Sequence, residues 1–353
     1  GSADLFATEP GRGAPASINF VSCHDGFTLT DLTRYRSKHN EANGENNNDG
    51  SSVNHSANFG VEGVTDDPDV IAAREQAAMN MIGMLLLSLG TPMMLAGDEF
   101  RNTQDGNNNA YCQDNDITWL KWDWMYSTNK TREMRRLETV SRLVALRKSL
   151  DLYHHEDFFT RLTQIGLLKP SSRVQWFLPD GTTPMERDWF DLGVRSFTMR
   201  LLSNSEVDVC IVVNGTADDR TFRLPPDTHW TPKWCSAEIN GRRAGHGTQV
   251  EECDLNGDTT VWTQHVPDAS ETVLKMVEEV AMQRTESSTE NEADTIEFTM
   301  PVTDHAANGT SSVPRDEVSA DMPDAPVDDT PDTPVDDNVW TMPALSITLM
   351  KQV

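Results

Sequence analysis

Apolar and polar positions follow one another in blocks over the first third of the chain. A short apolar run at 18–21 precedes a polar loop, apolar positions at helical spacing extend from 66 to 89, and a second apolar run occupies 93–96. Asp67 or the aspartate before it can cap this helix, and Pro68 suits its first turn. The order strand, loop, helix, strand predicts a βαβ unit with two parallel strands.

Polar side chains follow both predicted strands directly. His24 and Asp25 come after the first strand, and Asp98 and Glu99 come after the second. Because the carboxyl ends of parallel strands meet at the face of an α/β barrel that carries the active site, we expect a site here. An imidazole beside a carboxylate can hold a polar substrate and stabilise positive charge that forms on it. The alternative is a strand end whose aspartate caps the next turn.

The pattern changes after residue 130 from one long helix to short strands. Positions 130–150 predict an amphipathic helix that has Arg136 on its polar face. Short β-rich segments between turn residues lie at 174–178, 196–202, 207–214, 221–224, 234–239 and 260–265. Regularly spaced short strands of this kind favour an antiparallel sandwich.

Residues 275–338 break this pattern. Ser, Thr, Glu, Asp and Pro dominate the segment, and positions 281–338 hold fifteen acids and two bases, a net charge of −13. Such a composition cannot bury enough apolar surface to fold alone. Apolar β character returns from Val339 to Met350. We therefore expect a disordered acidic insertion, with the terminal strand of the sandwich pairing back across it.

Composition narrows the possible partners and compartments. The net charge is −27, from 56 acids and 29 bases, and without a basic patch it argues against nucleic acid. No uncharged apolar run reaches the about 18–20 residues that cross a membrane. The five cysteines are odd in number and widely spaced, which favours reduced thiols in a cytoplasm over disulfides or zinc. We expect Cys23 and Cys112 to be small packing residues.

Four strings of the sequence resemble one enzyme superfamily. FVSCHDGFTL at 20–29 looks like the region of the α-amylase superfamily of glycoside hydrolases that carries a paired His and Asp. KHNEANGEN at 38–46, GTPMMLAGDE at 90–99 and GNNNAYCQDN at 106–115 are narrower, and they resemble bacterial glycogen debranching enzymes of the isoamylase type. The resemblance covers roughly residues 15–215.

This resemblance implies a fold class of α/β plus β. Residues 1–152 would be the carboxy-terminal part of a catalytic TIM-type (β/α)8 barrel, with its last two βα units. Residues 153–353 would be the β-sandwich domain after the barrel, with 275–338 as its acidic insertion. In the family, the nucleophile and the general acid lie on earlier barrel strands. We therefore expect this chain to be the carboxy-terminal portion of a longer enzyme and to be inactive alone.

The resemblance also implies an activity, which is hydrolysis of α-1,6 branch linkages in glycogen, limit dextrin or another branched α-glucan. A retaining mechanism needs two carboxylates about 5 Å apart, and it requires no metal or organic cofactor. Asp25 would be a third carboxylate, which stabilises the transition state, and His24 would donate a hydrogen bond to the same sugar. The other side chains expected to contact the glucan are Asn40, Glu41, Asn43, Asn109 and Tyr111.

Some alternatives stay open. The residues alone would pair Asp25 with Glu99 as nucleophile and acid, whereas the resemblance gives Glu99 a role in organising the loop or the barrel rim. Trp119, Trp122 and Trp124 could stack on glucose rings, although packing at the rim is favoured. The alternative to an enzyme is a non-catalytic glucan-binding or scaffold protein that keeps half of a site.

Overall fold

The fold is taken from a computed structural model of the chain. The residues that the structure describes are 13–154, 160–161, 172–203, 208–226, 229–246, 251–252, 338–344 and 346–352. All of them belong to one structural unit, which comprises residues 1–263 and 335–353. The predicted strand at 260–265 and positions 275–337 of the acidic stretch lie outside the described residues.

Three α-helices occur in the described residues, and the sequence marks where the two long ones begin. They are α1 (Leu29–Leu32), α2 (Pro68–Leu87) and α3 (Arg132–Ser149). The Asp67 carboxylate caps α2 by accepting hydrogen bonds from the backbone N–H groups of Asp69 and Val70. Thr131 caps α3 by accepting from the N–H of Met134. The helices predicted at 66–89 and 130–150 are thereby confirmed.

Helix α2 lies in the core. It is the one helix of the described residues whose length and hydropathy would suit a membrane span, but half of its apolar stretch is buried inside the protein. Met79 and Ile82 are fully buried, and Gly83 lies directly against the indole of Trp234. An apolar surface that extends around much of a helix is typical of a helix packed on several sides.

The strands are β1 (Ile18–Asn19), β2 (Thr91–Pro92), β3 (Thr160–Arg161), β4 (Ser172–Phe177), β5 (Ser196–Ser203), β6 (Val209–Asn214), β7 (Arg220–Arg223), β8 (Trp230–Cys235), β9 (Arg242–Arg243), β10 (Gly245–His246), β11 (Glu251–Glu252), β12 (Val339–Met342) and β13 (Ser346–Gln352). Six of them form a sheet in the order β3-β4-β5-β6-β13-β8, and β10, β12 and β7 form a second sheet. Pairing in both sheets is antiparallel except between β3 and β4.

Strands β1 and β2 pair in parallel, as the βαβ pattern predicts, but they are shorter and more exposed than expected. Ile18 pairs with Thr91 and Asn19 with Pro92. The predicted strand at 93–96 is wrong, because the strand ends at Pro92 and the chain then turns toward Gly97. Ile18 is 61% exposed. In the described residues this sheet has two strands, so neither a complete barrel nor full burial of its strands is formed.

The six-stranded sheet is covered on both faces. Along β6, Val209 and Ile211 belong to a hydrophobic cluster that contains residues of α2 and α3. The alternate positions, Cys210 and Val212, belong to a second cluster that is shared with the three-stranded sheet. Because successive side chains of a strand point to opposite faces, the sheet is a middle layer between the helices and the smaller sheet. One hydrophobic cluster therefore joins the helices to the β-rich region.

The terminal segment pairs back into the β-rich region, as predicted. It forms two strands rather than one: β12 pairs with β7 and β10, and β13 lies between β6 and β8. The strand predicted at 234–239 ends at Cys235, because residues Ser236–Asn240 form a 3-10 helix. The Ser236 hydroxyl at the start of this helix accepts a hydrogen bond from the Ile347 N–H.

Candidate functional site

His24 and Asp25 lie at the tip of the turn that joins β1 to α1. Their side chains are 86% and 80% exposed, and His24 Nε2 is 3.5 Å from Asp25 Oδ2. Gly26 follows in a left-handed conformation, with a φ of +101°, which an L side chain rarely adopts. The Gly26 N–H donates to the Asn108 carbonyl at 2.9 Å. The sharp turn thus directs the imidazole and the carboxylate into solvent.

Asp98 fixes both sides of this turn from the segment that follows β2. The Ser22 hydroxyl donates to its Oδ2, and the Leu29 N–H donates to its Oδ1 at 2.9 Å. Asp98 is 2% exposed. Burial raises the pKa of its carboxyl to about 6. The two strand ends that were predicted to share a face are therefore bonded to each other directly.

A second buried carboxylate holds the start of α1 against the same segment. Asp31 accepts from the Thr103 hydroxyl and from the Gln104 N–H, the latter at 2.8 Å. Burial raises the pKa of Asp31. The Thr28 hydroxyl also donates to the Asn102 carbonyl at 3.1 Å. Residues 98–108 are therefore fastened along the length of the turn and of α1.

The two polar loops meet through paired amide side chains. Asn40 Nδ2 donates to Asn108 Oδ1 at 2.9 Å, and the Asn108 N–H donates to Asn40 Oδ1 at 3.0 Å. Asn40 is fully buried, and Asn108 is 2% exposed. Asn40 Nδ2 also donates to the Asp49 carbonyl. The hydrogen-bonding capacity of Asn40 is thus used within the protein, and it connects residues 68 positions apart.

Asn43 and Asn109 share the carboxylate of Asp49. Their Nδ2 groups donate to Asp49 Oδ2 at 2.6 Å and 3.0 Å. The bond from Asn43 is the main reason that the pKa of Asp49 is lowered. Asn43 Oδ1 in turn accepts from Asn107 and Gln113. These two predicted substrate residues are therefore half-buried parts of the same hydrogen-bond network.

Charged groups hold the outer part of the first loop. The Lys38 ammonium donates to the backbone carbonyls of residues 48–50 at 2.8–3.3 Å. Burial disfavours the charge of Glu62, but hydrogen bonds led by the Arg36 and Ser37 N–H groups outweigh it and lower the pKa of Glu62 to about 2. His39 Nε2 lies 3.3 Å from the same carboxylate. The loop surface is thus fixed before any ligand binds.

Glu41 and Tyr111 are the predicted substrate residues that stay accessible. Glu41 is exposed, and Tyr111 is 71% exposed. Trp119 is also exposed, and its indole N–H donates to Asp114 at 3.0 Å. The other two tryptophans of this segment pack against the buried ring of Phe100, with ring centres 4.7 Å and 5.4 Å away. For Trp122 and Trp124 the structure therefore favours packing over sugar stacking.

Glu99 and the two loop cysteines have local contacts. Glu99 Oε2 accepts from the Gly97 N–H at 2.9 Å, and burial raises the pKa of its carboxyl. The Cys23 thiol donates to the Asp25 carbonyl at 3.2 Å, while Cys112 is exposed. Among the residues that the structure describes, no group of three or more His, Cys, Asp or Glu side chains could hold a metal ion.

A buried ion cluster behind the turn could not be read from helical periodicity. Arg136, expected on the polar face of α3, is fully buried, so that expectation is wrong. It donates to Glu75 of α2 at 2.8 Å and 3.2 Å, and Arg101 lies 2.7 Å from the other oxygen of Glu75. The Arg136 guanidinium also donates to the Asp98 carbonyl at 3.5 Å. The one signal in the sequence is a charged pair, Arg74 and Glu75, within the apolar pattern of α2.

Comparison with known proteins shows that this chain is similar to bacterial proteins named for glycogen debranching or for the glycogen operon. It is 44% identical over 200 residues to the glycogen operon protein GlgX homolog of Mycobacterium tuberculosis (strain ATCC 25618 / H37Rv), covering 56% of this chain and 27% of that one. It is 38% identical over 239 residues to the Haemophilus influenzae GlgX homolog, covering 66% and 33%. The glycogen debranching enzyme of Escherichia fergusonii is 55% identical over 123 residues, covering 35% and 18%.

These relatives confirm the resemblance to glycogen debranching enzymes. The chain spans about a third or less of the length of each of these three relatives. No protein-family model matches it. Among solved structures, it is similar to the catalytic module of the pneumococcal virulence factor SpuA, with a TM-score of 0.43, 13% identity, and coverage of 99% of this chain and 38% of that one. A pullulanase from Anoxybacillus sp. LM18-11 gives a TM-score of 0.40 at 17% identity, covering 68% and 26%.

Proposed function

We propose that the protein to which this chain belongs hydrolyses α-1,6-glucosidic branch linkages in glycogen or limit dextrin, by a retaining mechanism. The observation that carries the proposal is the 55% identity over 123 residues to a protein named glycogen debranching enzyme. The four cysteines in the described residues are free thiols, which agrees with a reducing compartment such as the cytoplasm.

Asp25 is proposed to stabilise the transition state. Positive charge develops on the sugar as the glycosidic bond breaks, and a carboxylate held near that charge lowers the barrier. The carboxylate of Asp25 is accessible to a substrate, whereas Asp98 is committed to Ser22 and Leu29. Because the family resemblance places the nucleophile and the general acid on earlier barrel strands, both are proposed to come from outside these 353 residues.

The surface around Asp25 is proposed to bind the glucan. His24, Glu41 and Tyr111 are exposed and can reach sugar hydroxyls or stack on a sugar ring. The buried and half-buried amides Asn40, Asn43 and Asn109 support this surface without facing the glucan. Their hydrogen bonds hold the two loops in one arrangement. A surface that is fixed in advance loses less entropy on binding.

The test is release of reducing ends from glycogen limit dextrin. Two proteins are compared: the chain as given, and the chain joined to the part of the Haemophilus influenzae relative that its match leaves uncovered. We expect release from the joined protein and none from the chain alone. Asp25→Asn in the joined protein should lower kcat by about 100- to 1000-fold, because it removes an interaction made mainly in the transition state.

Asp123→Asn is the matched control, since Asp123 is an exposed aspartate outside the two polar loops. It should leave turnover unchanged. A folded joined protein that binds limit dextrin but releases no reducing ends would contradict the proposal and favour a glucan-binding scaffold. Release by the chain alone that is abolished by Asp25→Asn would mean that carboxylates within the chain suffice, with Glu99 the first to test.

A further inference from the structure

We propose that Asp98 is a positioning residue, which sets the direction of the His24–Asp25 pair toward the substrate. The inference rests on the proposed function, in which Asp25 acts on the transition state. Asp98 does not contact the sugar in this proposal. It acts by holding the turn that carries the two exposed side chains.

The geometry of the carboxylate carries the inference. One oxygen of Asp98 accepts from the Ser22 hydroxyl, before the turn, and the other accepts from the Leu29 N–H, after it. The pair His24–Asp25 lies between these two points. A single planar group therefore fixes the separation and the orientation of both ends of the turn, which one hydrogen bond could not do.

The backbone of Asp98 is itself held by a residue of helix α3. Arg136 of α3 donates to the Asp98 carbonyl at 3.5 Å and to the Thr30 hydroxyl of α1 at 3.2 Å. Glu75 of α2 fixes the Arg136 guanidinium through two hydrogen bonds. We call the Asp98 carboxylate with its bonds to Ser22 and Leu29 the clamp. Through Arg136 and Glu75, the clamp is connected to both long helices.

The pair needs such support because it has little of its own. At 86% and 80% exposure, His24 and Asp25 make few packing contacts that could select one direction. Misplacement of a catalytic group by about 1 Å can cost about 100-fold in rate. Release of one end of the turn is expected to move Asp25 on this scale, since Gly26 at its centre has no side chain to pack.

The test is a double-mutant cycle in the joined protein described above, with kcat and KM measured on limit dextrin. Asp98→Asn keeps the shape of the side chain but removes its charge. We expect kcat to fall about 10- to 100-fold with little change in KM. In the Asp25→Asn background the same substitution should cause a clearly smaller loss, limited to its effect on His24, because Asp98 acts mainly through Asp25. An equal loss in both backgrounds would overturn the proposal.

Two further variants separate positioning from general damage. Glu238→Gln alters a half-buried carboxylate, which pairs with Arg142 and not with the turn, and it should leave kcat unchanged. Ser22→Ala removes one of the two bonds to Asp98 and should lower kcat several-fold, so the proposal stays testable if Asp98→Asn does not fold. An unchanged kcat in Ser22→Ala would contradict the proposal.

Hydrogen exchange on the chain as given tests the clamp without any activity. The Gly26 N–H is the reporter, because it is bonded to Asn108 rather than to Asp98. In Asp98→Asn its exchange should quicken by about tenfold or more, and in Glu238→Gln it should not change. Faster exchange together with an inactive joined wild-type protein would reject the proposed function and keep the clamp. Unchanged exchange would reject the clamp itself.

Discussion

The buried ion cluster that joins the two long helices gives the sharpest prediction about stability. Arg136 is fully buried and donates to Glu75, to Thr30 and to the Asp98 carbonyl. Arg136→Met keeps an unbranched side chain of similar length but removes the charge and all of these donors. Burial opposes the charge of Glu75, yet Arg136 and then Arg101 outweigh it and lower the pKa of its carboxyl. The variant therefore leaves a buried carboxylate with one partner instead of two.

The size of the effect follows from these contacts. Breaking a buried ion pair by removing one partner costs about 3–5 kcal/mol. Arg101 still lies 2.7 Å from Glu75, so we take the lower end of that range, about 3 kcal/mol. The double variant Glu75→Leu with Arg136→Met also removes the Glu75 carboxylate that the single variant leaves without Arg136. It should be more stable than the sum of the two single changes predicts.

The assay is urea unfolding followed by tryptophan fluorescence, for which the chain has nine tryptophans. The slope rises with protein size and should lie at or above about 3 kcal/mol/M for a chain of this length, so the midpoint of Arg136→Met should fall by up to about 1 M. Arg132→Met removes the same group from an exposed position of the same helix, and it should change stability by less than about 0.5 kcal/mol. A loss below about 1 kcal/mol for Arg136→Met, or equal losses for both variants, would contradict this stabilising role of Arg136.

Two more outcomes can be measured in the same way. Burial raises the pKa of Asp98 from 3.8 to about 6, so its contribution to stability is full below its ordinary pKa and is lost as pH rises through 6. Relative to Asp98→Asn, the wild-type chain should lose about 2–3 kcal/mol of unfolding free energy between about pH 4 and about pH 7, and a pH-independent difference would contradict this. A methyl group at Gly83 would lie 2.9 Å from the buried Trp234 ring. Gly83→Ala should therefore lose about 1–2 kcal/mol despite its better helix propensity, and a stabilised variant would show that Trp234 can move.

Elements whose signals are local were predicted well. Helix α2 begins where Asp67 and Pro68 indicate, because a cap needs only the next three residues. Strand β6 coincides with a run of apolar residues, which is the pattern of a strand buried on both faces. The burial of Arg136 could not be predicted, since a charged residue on a helix is ordinarily solvated and its partner Glu75 lies 61 positions away.

The candidate site shows the same division. Sequence strings alone identified His24, Asp25 and the two polar loops, and the relatives confirm the resemblance on which they were chosen. The sequence strings did not distinguish the side chains that face solvent from the amides that hold the loops together. Asn40 and Glu41 are adjacent, yet Asn40 is fully buried and Glu41 is exposed.

The two long helices, several strands of the β-rich region, the loops that carry polar groups, and the relationship to glycogen debranching enzymes could be predicted from the sequence. Each of these depends on residues that are close along the chain or on strings that can be compared directly. Only the folded chain shows that one sheet serves as a middle layer, that Asp98 bonds both sides of the turn that carries His24 and Asp25, and that Arg136 links α3 to Asp98. These features depend on hydrogen bonds and packing between residues far apart in sequence, which only the folded chain brings together.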